Sequence, residues 1–212
     1  MKNEIMIGVL GVQGDIEENI LATRNALKHM GVRGSVEPVR YSEEIEKVDS
    51  IIIPGGESSV ISILVAIEGG TFQTIKRLVS NGMPVMGTCA GMIMLSKHAY
   101  DRVVGETKQQ LLGNLDIVVE RNAFGRQNDS FEVDLQMPFL GKDNYKCVFI
   151  RSPVVREVGN GVQVIGTFNN KIVAVKQKNI IGTSFHPELS GDDRFHRQFI
   201  KTVLDFKRSQ QK

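Results

Sequence analysis

The 212-residue chain is poor in cysteine, with two, and has no tryptophan. Two such residues, Cys89 and Cys147, give no disulfide framework and no paired metal-ligand spacing. A reducing compartment, the cytoplasm, is the expected setting. Long hydrophobic runs are missing too. Ile5 to Val12 is apolar but short, holds two glycines, and lacks a basic lead and a cleavage site, so neither a secretory signal nor a membrane partner is expected. Charge of one sign is also absent. A net charge of +2 with scattered Lys and Arg demands neither nucleic acid nor an anionic membrane. The basic end KRSQQK fits a solvated tail. What is present, 41% hydrophobic and 24% charged residues, excludes disorder and suits one domain over residues 1–212.

Hydrophobic periodicity predicts an α/β fold. Strands are expected over Glu4–Val12, Ser35–Val39, Val48–Ile53 and Pro84–Thr88. Helices are expected from Ile16 to Met30, Ser58 to Ile67, Phe72 to Ser80 and Ala90 to His98. Asp15 and Glu18 have capping-box spacing, and Gly31 closes the first helix. The alternation predicts a three-layer body, a mostly parallel central sheet covered by helices. The second half is richer in strands: Leu115–Glu120, Phe131–Leu135, Lys146–Ile150, Val162–Phe168, Ile172–Lys176 and Ile180–Phe185. Asn169-Asn170 is placed for a hairpin turn. A last helix is expected over Asp193–Phe206. No repeat or linker interrupts the chain.

The segment Gly87-Thr88-Cys89-Ala90-Gly91 lies between a predicted strand and a predicted helix. This has the form of a nucleophile elbow, with cysteine in the serine position of hydrolases. The glycines relieve crowding at a strained turn. The following helix N-terminus favours a thiolate. A small buried residue in a tight turn would use the same pattern, so a base is needed to decide between the two.

Four histidines are available. His29 and His98 fall near predicted helix ends, and His196 falls in the last helix, where a solvated ring is expected. His186 differs. It ends an apolar strand and opens His186-Pro187-Glu188, in which residues two apart point the same way. Glu188 can then orient the imidazole of His186. A capping histidine beside a surface glutamate is the plainer alternative for this tripeptide alone. The third piece, Pro54-Gly55-Gly56-Glu57-Ser58-Ser59, follows a strand. Its bare backbone N–H groups, with that of Ala90, can form an oxyanion hole. A simple turn with Ser58 or Ser59 as N-cap is the alternative. Cys147 is read as a buried strand residue.

Taken in order, PGGES, GTCAG and HPE resemble the class I (triad) glutamine amidotransferases. GVLGVQGD at Gly8–Asp15, RNAFGRQNDSFE at Arg121–Glu132 and FIRSP at Phe149–Pro153 narrow the resemblance to the glutaminase subunits of pyridoxal 5′-phosphate synthase. The likeness covers nearly the whole chain. It implies the flavodoxin-like fold of that class and a Cys89–His186–Glu188 triad that hydrolyses L-glutamine through a γ-glutamyl thioester. It implies glutamine contacts from Gly56, Glu57, Ser58, Arg121, Ile150 and Arg151, and an oxyanion hole at Gly56 and Ala90. Gln13 is a further candidate near that hole or a partner interface. No metal or organic cofactor is implied. The partner implied is a (βα)₈-barrel synthase subunit, in a large hetero-oligomer, that takes the ammonia directly. Two places depart from the family pattern, a longer Val65–Thr74 segment and Ser152 in place of alanine. A glutaminase serving another synthase, a cysteine hydrolase of the same fold, and a silent regulatory module remain open as alternatives.

Overall fold

The computed structural model describes residues 4–101, 103–124 and 130–211. The middle of the RNAFGRQNDSFE segment, residues 125–129, lies outside the described residues.

The first half alternates as its periodicity predicts. Strands β1 (Ile5–Leu10), β2 (Gly34–Val39), β3 (Ser50–Ile53) and β4 (Val85–Thr88) run parallel. Between them lie α1 (Ile16–Met30), a short α2 (Ser42–Ile45), α3 (Ser58–Ile67) and α4 (Thr71–Ser80). Gly31 ends α1 in the left-handed region at φ 63°, where a side chain would be strained. After β4 come α5 (Ala90–Leu95), β5 (Ser96–Asp101), β6 (Gly105–Glu106), β7 (Leu115–Glu120) and β8 (Ser130–Leu135). The chain finishes with β9 (Tyr145–Ile150), β10 (Val154–Val158), β11 (Gln163–Phe168), β12 (Lys171–Gln177), β13 (Ile180–Thr183) and α6 (Arg194–Ser209).

The main sheet follows the order β2-β1-β3-β4-β13-β12-β10-β7-β5-β6, with β11 on β12. From β2 through β13 it is parallel, and β12, β10 and β11 add antiparallel pairings. β8 and β9 form a separate antiparallel pair. Asn169 and Asn170, at φ 47° and 59°, make the tight turn between β11 and β12.

Successive residues of β3 bury on opposite faces. Ile51 and Ile53 join one hydrophobic cluster and Ile52 the other, as a strand covered on both sides requires. α3, α4 and α5 pack on the first face. α1, α6 and the β8–β9 pair pack on the second. Rings tie that second layer together: Phe131 stacks on Phe149 at 4.7 Å, Phe149 meets Phe185 at 5.6 Å, and Phe185 meets Phe195 at 5.4 Å. Among the described residues no single helix is long and apolar enough to cross a membrane. α3 and α4 pass that test only as a pair bent by 103°.

Four sequence expectations are corrected. The helix after Cys89 stops at Leu95, and the chain turns into β5, which pairs with β7. His98 therefore stands on a strand, 3.0 Å from Glu106, rather than near a helix end. Asp15 occupies the N-cap of α1 but caps nothing with its side chain. His196 is not solvated. It is fully buried on α6 beside Phe195 and Phe199, and neither ring nitrogen has a hydrogen-bond partner among the described residues.

Burial pushes the His196 pKa down to about 4 from the ordinary 6.5, against a smaller opposing effect of Asp193. Between those values the unfolded chain binds more protons at this ring than the folded chain, so acidification costs stability. By pH 4.5 this group alone removes roughly 2–3 kcal/mol. Denaturant titrations at neutral pH and at pH 4.5 should show a His196→Leu variant losing about that much less than the parent chain.

Candidate functional site

The parallel register puts the carboxyl ends of β3, β4 and β13 on one edge, with Ile53 opposite Gly87 and Thr88 opposite Thr183. Ligands of open α/β sheets bind beyond that edge. Cys89 follows β4 there, at φ 49° and ψ −102°, a strained backbone for a residue with a side chain. Its N–H donates to Thr183 O at 2.7 Å, which locks the elbow to β13. The flanking glycines are needed for close approach. A Cβ on Gly91 would lie 2.0 Å from Ile53 O, and one on Gly87 would lie 2.6 Å from the Gly91 carbonyl carbon.

His186 arrives from β13. Thr183 Oγ1 donates to Phe185 O at 2.9 Å, Phe185 sinks among the rings, and His186 N–H donates to Val148 O at 2.8 Å on β9. Pro187–Leu189 then form one 3-10 turn that carries Glu188 back beneath the imidazole. Glu188 Oε1 lies 2.9 Å from His186 Nδ1, and the Glu188 side chain is wholly buried. The Tyr145 hydroxyl braces that turn, 2.9 Å from Ser190 Oγ and 3.4 Å from Pro187 O. His186 Nε2 is buried with no hydrogen-bond partner among the described residues.

Burial alone would lower the His186 pKa. Hydrogen bonding to Asp15, the nearby Cys89 thiol, and both hydrogen bonding and charge at Glu188 outweigh it and raise the value. Asp15 Oδ2 is 3.0 Å from the same Nδ1. Asp15, His186 and Glu188 offer ligand atoms within 4.8 Å of one another, a spacing a metal could use. Both carboxylates converge on one ring nitrogen, however, which is the geometry of a shared N–H.

Cys89 and His186 line one cavity of about 260 Å³ with Gln13, Glu57, Arg121 and Arg151. That is below the ~300–1,000 Å³ typical of sites for drug-sized ligands and suits an amino acid. Ser58, Ile150 and Gly56 also line it, so the expected substrate contacts converge. Gly56, at φ 150°, approaches the Gln13 side chain so closely that a Cβ would lie 2.5 Å from Gln13 Oε1. Glu57 N–H donates to that same oxygen at 2.9 Å. Ala90 is the first residue of α5, where backbone N–H groups lack intrahelical acceptors. Arg121 donates to Glu57 Oε1 at 2.7 Å and to Ser59 Oγ at 3.1 Å. Arg151 adopts φ 42° and is exposed at the rim. Ile150 O faces Cys89 Sγ at 3.9 Å, and Ser152 Oγ accepts from Ile150 N–H at 3.0 Å, so the Ser152 hydroxyl steadies this turn. The N-cap of α3 is Glu57, whose side chain accepts from Ser59 N–H at 3.5 Å, rather than Ser58 or Ser59.

Residues 9–205 match the model of the SNO glutamine amidotransferase family. The chain belongs to that family. A relative from Archaeoglobus fulgidus, named pyridoxal 5′-phosphate synthase subunit PdxT, is 49% identical over 92% of this chain and 96% of its own. One of the same name from Nitrosopumilus maritimus is 45% identical over 95% and 98%. Among solved structures, a glutamine amidotransferase superimposes with a TM-score of 0.79 at 39% identity, covering 93% of this chain and 98% of that one. A glutamine amidotransferase from Thermotoga maritima shares the fold at a TM-score of 0.61 and 12% identity, with 98% of both chains covered.

Asp15, Asn122 and Ile93 are lining residues that the sequence reading did not select. Asp15 sits in the quoted GVLGVQGD stretch, but its cap spacing suggested a local role.

Alanine normally stabilises a helical position relative to glycine by about 1 kcal/mol. Gly91→Ala should do the opposite, because its Cβ would strike the Ile53 carbonyl. Equilibrium unfolding should show a loss of about 1–3 kcal/mol.

Proposed function

We propose that this family member is the glutaminase of a pyridoxal 5′-phosphate synthase, releasing ammonia from L-glutamine and passing it to a synthase subunit. The observation that carries the chemistry is a cysteine on a strained elbow sharing one small cavity with a buried, carboxylate-held histidine. The names of the relatives support the choice of pathway.

In this reading the Cys89 thiolate attacks the side-chain carboxamide carbon of glutamine, and the C–N bond later breaks. Backbone N–H groups at Gly56 and Ala90 hold the oxyanion; one such donor is typically worth about 10²–10³ in rate. Protonated His186 gives its proton to the departing nitrogen. A γ-glutamyl thioester remains, and water deprotonated by the now neutral ring releases glutamate and returns the thiol. Glu188 keeps the imidazole oriented through Nδ1. Glu57 and Arg121 form a ready pair of opposite charges for the α-ammonium and α-carboxylate of free glutamine, with Arg151, Ser58 and Ile150 completing the wall. Gln13, bound to Glu57 N–H, governs the backbone beside the oxyanion hole.

Free ammonia would be protonated and lost in water, which gives a physical reason for direct transfer. The partner is a (βα)₈-barrel subunit in a large cytoplasmic hetero-oligomer, and this chain serves it as a single glutaminase domain over residues 1–212. Pyridoxal 5′-phosphate is the product of the complex, and the hydrolysis itself uses side chains, backbone N–H groups and water.

Glutamate release from glutamine, measured with and without the synthase subunit, should rise on mixing and vanish in Cys89→Ala. A glutamine-analogue electrophile should label Cys89, and labelling elsewhere with full activity in Cys89→Ala would overturn the assignment. Arg121→Ala, which removes a charge-assisted contact worth about 1.5–3 kcal/mol, should raise KM for glutamine by about tenfold or more. The Glu57→Gln variant should show a smaller rise of the same kind.

A further inference from the structure

Asp15 is placed unlike an ordinary helix cap. It stands at the N-terminus of α1, where a carboxylate normally accepts a backbone N–H, and it makes no such bond. Its Oδ2 instead lies 3.0 Å from His186 Nδ1, and Glu188 Oε1 lies 2.9 Å from the same atom. Two like charges this close disfavour one another unless a cation stands between them. Protonated imidazole is the only cation at that point among the described residues. The surrounding backbone is built around the contact. Asp15 N–H donates to Gly55 O at 3.2 Å. A Cβ on Gly55 would lie 2.3 Å from His186 Cε1 and 2.7 Å from Asp15 Oδ2. The two carboxylates also differ in setting: the Glu188 side chain is fully buried, whereas that of Asp15 is 35% exposed at the edge of the cavity.

We propose that Asp15 is a second positioning residue for His186, sharing its Nδ1–H with Glu188 so that the ring stays charged and fixed beside Cys89. Glu188 supplies the buried, permanent anchor. Asp15 supplies a charge that solvent or a bound molecule can reach. The groups facing His186 are Asp15 at the start of α1, Glu188 on the turn after β13 and Cys89 on the elbow. Glu57, Arg121 and Arg151 stand elsewhere on the cavity wall. The kinetic consequence deepens the glutaminase reading and rests on it: the imidazolium must persist until the leaving nitrogen takes its proton.

The test uses Asp15→Asn, which keeps size and removes charge, and Asp15→Ala as a second variant. In full-length chain carrying ¹³C-labelled histidine, the His186 titration midpoint should fall in both variants by about one pH unit or more, the usual effect of one nearby opposite charge. His29 and His98 should not move. With the synthase subunit present, the alkaline limb of kcat/KM for glutamine should shift to lower pH in step, with KM at neutral pH within about twofold. A His186 midpoint and an alkaline limb unchanged in both variants would overturn the proposal. A midpoint that falls while the parent chain shows no glutamine hydrolysis would uphold the Asp15 contact and overturn the glutaminase reading instead.

Discussion

The hydrogen bond from Cys89 N–H to Thr183 O, 2.7 Å long, joins two segments that lie far apart in the chain and come together at one sheet edge. It continues the β4–β13 register by one residue past the last strand pair, Thr88 with Thr183. Without that register the sulfur and the imidazole would have no fixed relation. Cys89 can leave β4 at an unfavourable φ because the bond, the close fit of Gly87 on Gly91, and the fit of Gly91 on Ile53 leave no easier path.

The same edge is held from the other layer by apolar packing. β9 accepts the backbone N–H of His186 through Val148 O, and β9 is itself pressed onto the core by Tyr145, Cys147 and Phe149. Burial holds the Cys147 thiol at about 12 and raises the Tyr145 phenol further still, so both stay neutral and act as packing and bracing groups. Cys147 is sealed in the core, whereas Cys89, also buried, lines the cavity. The β-rich second half, which looks like an addition to the parallel sheet, forms one wall of the cavity shared by Cys89 and His186 and anchors that histidine.

Charges in the cavity are arranged in opposite pairs. Glu57 neutralises Arg121, and the carboxylates of Asp15 and Glu188 face one imidazole. The Glu57–Arg121 pair presents both signs of charge to the cavity, whereas Glu188 is buried behind the imidazole. The pairing also holds Arg121 and Glu57, separated widely in sequence, together on one wall of the cavity.

Much of this was determined by local sequence. Period-two and period-3.6 patterns placed β1 to β4, α3 and the β11–β12 hairpin within a residue or two, because burial on a strand or helix repeats at short range. The elbow, the PGGES turn and the HPE turn were legible because glycine and proline mark backbone geometry that few other residues permit. Only the tertiary structure decided where α5 ends, since Ser96–Asp101 is claimed by pairing with β7 over any helical preference. Only the fold buried His196 and turned Asp15 from a cap into a neighbour of His186. Those outcomes depend on what packs against a side chain from distant elements, and spacing along the chain carries no record of that.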